Sequence, residues 1–182
     1  MARVSQSQFA ILGLLSFEPM SGYDVKQLIE WSVGHFWREG YGQIYPTLQQ
    51  LEKQRLVTKK TERQKGKPDR NVYSLTPAGR ERLKQWLSEP ANHEVLRNEL
   101  LLKLFFGQWV SAATSGSQIE NHRKMWKEQL VDYAAIRKRL LQEHETDPGR
   151  PFWEITLSYG EHIAKAQLAW SEEALNKLKD RE

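Results

Sequence analysis

The feature that most constrains the fold is a change of periodicity in the middle of the N-terminal half. Apolar residues recur at i, i+4 and i+7 through residues 43–54, which predicts an amphipathic helix with one apolar stripe. This stripe consists of Ile44, Leu48 and Leu51. Residues 56–63 and 71–76 then have the composition of two strands, and the Gly- and Pro-containing segment 64–70 between them indicates a turn. The chain therefore places a helix directly before a β-hairpin.

Helix signals flank this unit on both sides. A helix over about 7–17 has a broad apolar face and ends at Glu18-Pro19. Ser21 predicts the start of a second helix, because its hydroxyl can cap free amides and Asp24 stands three residues on. Thr76-Pro77 predicts a further helix that stops near Pro90. The resulting order of helix, helix, helix, strand, turn, strand and helix is that of a winged helix-turn-helix.

Positive charge is concentrated in the same region. Residues 1–89 contain 14 Lys and Arg against 9 Asp and Glu, whereas residues 90–182 contain 13 against 14. Eight of the basic residues lie within residues 53–70. Alone, such a cluster favours a solvated, lysine-rich hairpin. Beside an amphipathic helix with a polar outer face, it indicates a surface that binds a polyanion.

The residues expected to contact DNA come from the helix and the turn. An amide such as Gln suits adenine and a Thr methyl suits thymine, whereas basic side chains suit phosphate. Tyr45 suits the DNA backbone, and its alternative is packing beneath the helix. Lys59 and Lys60 face opposite sides of one strand, so at most one points at DNA. The predicted DNA-binding residues are Gln43, Tyr45, Thr47, Gln50, Lys53, Lys65, Lys67 and Arg70.

The second half predicts a different kind of domain. A helix through residues 96–109 is apolar around most of its circumference, so we expect it to be buried. Two long helices over about 117–145 and 152–180 have narrow apolar seams, which make a poor core alone and favour pairing with a second copy of the chain. Gly160 and Ala164 allow another helix to approach closely. We therefore predict a mainly α protein with a small β-hairpin wing, divided into a winged helix-turn-helix domain, 1–89, and a C-terminal helical, coiled-coil-like dimerisation domain, 90–182.

Several aromatic residues have two interpretations. Most fit a core or a dimer interface, and the alternative is an apolar pocket for a flat ligand. The candidates for such an effector site are Trp31, Phe105, Trp109, Trp126 and Trp153.

Other classes of protein find no support in the sequence. There is no cysteine, no ligand spacing for a metal, no nucleophile elbow and no phosphate-binding glycine loop, so we expect neither an enzyme nor a cofactor. The early apolar run 9–17 is too short for a membrane span and lacks a signal-peptide cleavage site.

Five segments stand out in a fixed order along the chain. The first four are FAILGLL at 9–15, SGYDV at 21–25, GQIYPTL at 42–48 with Leu51-Glu52, and VYSLTPAG at 72–79, and the fifth is NELLLKLFFG at 98–107. The first four segments resemble the PadR family of transcriptional regulators, and the fifth resembles the opening of the C-terminal domain of its larger members, including virulence gene activators. The resemblance implies a cytoplasmic homodimer, a repressor or activator that binds double-stranded DNA, and an aromatic or phenolic effector.

Two alternatives remain at this point. A winged-helix protein-interaction module would expose an apolar patch on the third helix, whose outer face here is Gln and Thr. A small-molecule sensor without a DNA role would not need the basic cluster at 53–70.

Overall fold

The computed structural model describes residues 6–34, 36–37, 41–63, 69–92 and 97–179. The chain divides into two units, Met1–His93 and Glu94–Glu182. Among the described residues, the first unit combines helices with a small antiparallel sheet and the second is helical. This architecture confirms the predicted fold class. No helix in the described part of the chain is long and apolar enough to cross a membrane.

The first unit has the predicted order of elements, with two short additions, a strand and a 3-10 turn (Tyr41–Gln43). Its helices are α1 (Ser7–Leu14), α2 (Gly22–Trp31), α3 (Ile44–Lys53) and α4 (Pro77–Ser88), and its strands are β1 (Met20–Ser21), β2 (Val57–Glu62) and β3 (Arg70–Leu75). The strands pair in the order β1-β3-β2. The pair of residues that forms β1 is too short to show alternation, so only its pairing with β3 defines it as a strand.

Side-chain caps fix where two of these helices begin. Ser21 Oγ accepts from the Asp24 N–H at 3.3 Å, and the Asp24 carboxylate accepts from the Ser21 N–H at 2.7 Å. This reciprocal capping box confirms the predicted start of α2. Thr76 Oγ1 accepts from the Gly79 N–H at 3.0 Å, and Pro77 occupies the first helical position, as predicted for α4.

The core of the first unit lies between α1, α3 and the sheet. The α3 stripe of Ile44, Leu48 and Leu51 is fully buried, which confirms the predicted apolar face. From α1, Phe9 stacks on Trp86 of α4 with ring centroids 4.5 Å apart. The buried stripe anchors α3, so its opposite face is the one available to a partner.

The second unit is built on two long antiparallel helices. It contains α5 (Glu99–Phe105), a 3-10 turn (Gly107–Trp109), α6 (Ala112–Glu143) and α7 (Arg150–Lys179). Tyr133 of α6 is buried against Gly160 of α7, where a Cβ would lie 2.7 Å from the Tyr133 hydroxyl. The predicted close approach at Gly160 is thus made by a helix of the same chain. Arg137 then holds Glu161 through two hydrogen bonds of 2.8 and 2.9 Å.

The expectation that residues 96–109 form one buried helix is wrong for the single chain. α5 ends at Phe105, and the side chains of Phe105 and Trp109 are 81% and 80% exposed. An apolar circumference predicts that a helix is covered, but it does not say which molecule covers it. Leu96 lies outside the described residues.

Candidate nucleic-acid interface

The outer face of α3 is polar and exposed. Gln49, Gln50 and Lys53 lie on the side opposite the buried stripe, and Gln43 is exposed just before the helix begins. Two amide side chains and an ammonium group therefore stand together on one helical face. Amides of this kind can donate to and accept from base edges, and an ammonium group can contact phosphate.

One residue predicted for this outer face is buried instead. Thr47 is only 9% exposed, so the expectation that it faces outward is wrong. At 3.6 residues per turn, Thr47 lies three residues after Ile44 and four before Leu51, which puts it on the buried stripe. The exposed position that this phase assigns to the outer face is Gln49, which the sequence analysis missed.

Tyr45 is both packed and exposed. Its ring lies over Gly22, the first residue of α2, where an added Cβ would come within 2.5 Å of Tyr45 Cε1. The side chain is nevertheless 54% exposed. The two interpretations of Tyr45 are therefore compatible, because one edge of the ring packs on α2 while the rest faces solvent.

α3 ends in a left-handed turn that leads into the hairpin. Arg55 has a φ of 59°, and its N–H donates to the Glu52 carbonyl at 2.9 Å. The Leu56 N–H donates to the Leu51 carbonyl at 3.0 Å. These two bonds make a Schellman motif, in which the left-handed position is most often glycine. An arginine there places a positive charge between α3 and β2, in a backbone conformation that is unfavourable for an L-residue.

The two faces of the hairpin differ in their surroundings. Lys59 pairs in register with the buried Tyr73 and Lys60 with Val72 on the neighbouring position, so the two lysines face opposite sides as predicted. Lys59 Nζ lies 3.4 Å from Glu52 of α3. This ion pair links the hairpin to α3 and leaves Lys60 on the outer side.

The turn end of the hairpin, where Arg70 pairs in register with Glu62, is tied to α2. Arg70, the first residue of β3, forms an ion pair through Nη2 with Asp24 Oδ2. Burial raises the pKa of Asp24, but hydrogen bonds from Ser21 and Arg70 outweigh it and hold the pKa below its ordinary value of 3.8. Lys65 and Lys67, the other predicted contacts of the hairpin, lie outside the described residues.

The candidate effector residues occupy several places. Trp126 Nε1 donates to His122 Nε2 at 3.0 Å, and Trp153 packs edge-on against His144. Phe105 packs edge-on against Phe106, whereas Trp31 ends α2 and its side chain is outside the description. A groove of about 370 Å³ opens between α5 and α6 and is lined by Leu102, Lys103, Phe106, Val110, Ser115 and Gln118. Among the described residues, no group of three or more His, Asp or Glu side chains could hold a metal.

Two family models match the chain, one in each unit. The model of the transcriptional regulator PadR-like family matches residues 11–85, and the virulence activator alpha C-terminal model matches residues 96–179. The negative transcriptional regulator PadR of Bacillus subtilis (strain 168) is 29% identical over 140 residues, which are 76% of this chain and 76% of that protein.

Solved structures extend the similarity to nearly the full length. The structure of smu.1604c from Streptococcus mutans UA159 has a TM-score of 0.83 and 30% identity, covering 94% of this chain and 99% of that one. Bacillus subtilis PadR in complex with operator DNA has a TM-score of 0.81 and 26% identity, covering 94% and 98%. The Vibrio cholerae virulence activator AphA has a TM-score of 0.75 and 26% identity, covering 96% and 99%. A further structure of Bacillus subtilis PadR contains p-coumaric acid.

Proposed function

Because the chain belongs to the PadR-like family of transcriptional regulators, we propose that it binds a pseudo-palindromic operator as a homodimer. The observation that carries the proposal is the exposed polar face of α3, since a solvent-facing row of amides beside a basic hairpin matches the chemistry of base edges and phosphate. In this proposal residues 1–89 bind DNA and residues 90–182 hold the dimer. The half-sites should then be centred about 34–36 Å apart, one turn of the double helix.

The proposed contacts fall into two groups. Gln43, Gln49 and Gln50 would reach base edges from the major groove. The other group would contact the sugar-phosphate backbone, with Tyr45 at the start of α3 and basic residues at its end and in the hairpin. This second group is Tyr45, Lys53, Lys65 and Lys67. Arg70, which the sequence also predicted as a DNA contact, is instead engaged in an ion pair with Asp24.

Fluorescence anisotropy with a labelled duplex tests DNA binding directly. The duplex is selected by the full-length protein from a random-sequence pool, and the salt concentration is then varied. We expect affinity to fall steeply with salt, because each phosphate contact adds about 0.9 to the slope of log K against log salt. No binding of any duplex at low salt would overturn the proposal.

The hairpin lysines allow a sharper version of this test. Changing both Lys65 and Lys67 to Ala should weaken binding alike for all duplexes and reduce the salt slope by about 2 in total. Lys124→Ala, an exposed lysine on α6, removes a charge from the other unit and serves as the control. A loss restricted to one duplex would contradict a phosphate role for the two lysines.

The exposed apolar surface of the second unit supports the dimer. α5 and the turn after it present large apolar side chains to solvent, and a second copy of the chain would cover them. These side chains are Leu101, Leu102, Phe105, Phe106 and Trp109. Sedimentation equilibrium should give a dimer for the unmodified protein.

Substitutions in α5 test whether this surface forms the dimer. Phe105→Ser with Trp109→Ser should give a folded monomer, because each side chain is exposed in the single chain and contributes little to its core. Leu87→Ser, which changes another exposed apolar residue on α4 of the first unit, is the control and should leave the dimer intact. An unmodified protein that sediments as a monomer would refute the proposed assembly.

We propose p-coumaric acid as the effector to test first, because it is the compound bound in a Bacillus subtilis PadR structure. The groove of about 370 Å³ beside Phe106 is large enough for one aromatic ring with a carboxylate. Intrinsic fluorescence can report binding directly, because the chain has seven tryptophans, among them Trp31, Trp109, Trp126 and Trp153. An emission change together with release of the duplex is expected, and a titration that changes neither signal would exclude this effector.

A further inference from the structure

Three hydrogen bonds converge on one oxygen at the N-terminus of α2. Asp24 Oδ2 accepts from the Ser21 N–H at 2.7 Å, from the Ser21 hydroxyl at 2.8 Å and from Arg70 Nη2. The Ser21 bonds are local and cap the helix. The bond from Arg70 is not local, because Arg70 stands 46 residues later at the point where β3 begins.

The same helix terminus also contacts α3. The Tyr45 ring lies over Gly22, two residues before Asp24. Two residues in the first turn of α2, Gly22 and Asp24, therefore contact the start of α3 and the turn end of the hairpin. In this way one short segment relates the two elements that the proposed function brings to DNA.

We infer that Asp24 is a positioning residue for DNA binding, which holds Arg70 and thereby fixes the turn end of the hairpin relative to α2. The inference rests on the proposed DNA-binding function. It gives Arg70 an indirect role, because a guanidinium group that moved to a phosphate would leave the partly buried carboxylate of Asp24 without its cationic partner. The hairpin lysines, and not Arg70, would then supply the phosphate contacts.

The two roles of Arg70 predict opposite effects of Asp24→Asn. If Arg70 contacts phosphate, removing the carboxylate frees the guanidinium and binding becomes tighter. If Asp24 positions the hairpin through Arg70, binding becomes weaker by about tenfold, or about 1.4 kcal/mol, and the salt slope changes by less than the value of about 0.9 for one contact. Asn at position 24 keeps a side-chain oxygen that can accept from the Ser21 N–H, so α2 should remain folded.

The experiment uses the full-length protein, the duplex selected by the unmodified protein and anisotropy across a range of salt concentrations. Asp24→Asn, Arg70→Gln and the double variant are compared at a temperature well below the lowest Tm. We expect both single variants to weaken binding about tenfold and the double variant to equal Arg70→Gln. A role of Asp24 in capping alone would instead weaken the double variant further, since the cap does not depend on Arg70.

Two controls separate positioning from folding and from charge. Ser21→Ala removes a cap hydroxyl but keeps the Asp24–Arg70 pair, and it should lower Tm while leaving DNA affinity within about twofold. Glu81→Gln makes the same change of net charge at an exposed position on α4 and should not weaken binding. If Asp24→Asn does not fold, Arg70→Gln still decides, because a fall of about 0.9 in its salt slope identifies a phosphate contact.

Each outcome bears on a definite claim. Tighter or unchanged binding by Asp24→Asn, while the unmodified protein binds normally, would overturn the inference and leave the proposed function standing. Absence of binding by the unmodified protein would overturn both.

Discussion

Arg55→Gly should stabilise the first unit, although it removes a charged side chain and adds no contact. The φ of 59° at Arg55 places an L-residue in the left-handed region, which costs about 1–2 kcal/mol. Glycine avoids this cost but loses about 0.5–1 kcal/mol of conformational entropy on folding. The difference is a net stabilisation of about 0.5–1 kcal/mol, or a rise in Tm of about 2–8 °C for a domain of this size.

The neighbouring residue supplies a control of opposite sign. Gln54 has a φ of −79° in the right-handed region, so Gln54→Gly has no strain to relieve and should destabilise by about 0.5–1 kcal/mol. Arg55→Ala removes the same charge as Arg55→Gly but retains Cβ, so it should bring no gain. Urea denaturation followed by circular dichroism measures all three variants. Equal effects of Arg55→Ala and Arg55→Gly would refute the backbone explanation, because they would assign the change to the lost side chain.

Two further predictions concern the long helices of the second unit. Gly160→Ala places a methyl group within 2.7 Å of the buried Tyr133 ring and should destabilise by about 1–3 kcal/mol, whereas Gly116→Ala, whose first neighbour lies at 3.9 Å, should stabilise by about 0.5–1 kcal/mol. Thermal unfolding measures the change in Tm of both variants. Equal changes in Tm would show that the Tyr133 ring can move away from an added methyl group. The hydrogen bond from Arg137 lowers the pKa of Glu161 below 4.5, so the stability from this pair is complete above about pH 4.5 and is lost as pH falls through the lower folded pKa. Glu161→Gln should therefore reduce the loss of stability between neutral and acidic pH, and an unchanged acid profile would contradict this role.

The parts of the first unit that could be predicted are those whose cause is local in sequence. Ser21 and Asp24 cap α2 from within four residues, and Thr76-Pro77 begins α4 in the same way. The buried stripe of α3 follows from spacing alone. The prediction was wrong where the position of a residue around the helix axis decided its burial. Thr47 is polar, but it lies at the same angle as the apolar stripe of α3, and Gln49 occupies the outer face instead.

The features that could not be predicted depend on partners far along the chain. β1 exists because Met20 and Ser21 pair with Tyr73 and Val72, which a search for alternation cannot find. The ion pair between Asp24 and Arg70 spans 46 residues, and either residue alone has an ordinary surface interpretation. The polar face of α3 and the basic hairpin could therefore be predicted from the sequence. The side-chain contacts that connect the elements could not.

The exposed apolar side chains of α5 and the turn after it bear on assembly. An apolar helix is stabilised wherever water is excluded from it, and the transfer of a large aromatic side chain from water is worth about 1.5–3 kcal/mol irrespective of which chain covers it. Within one chain Phe105 and Trp109 gain little of this, because both remain about four-fifths exposed. The apolar pattern of α5 therefore favours a second copy of the chain as the molecule that buries these side chains. Substituting both Phe105 and Trp109 should reduce association much more than it reduces the stability of the single chain.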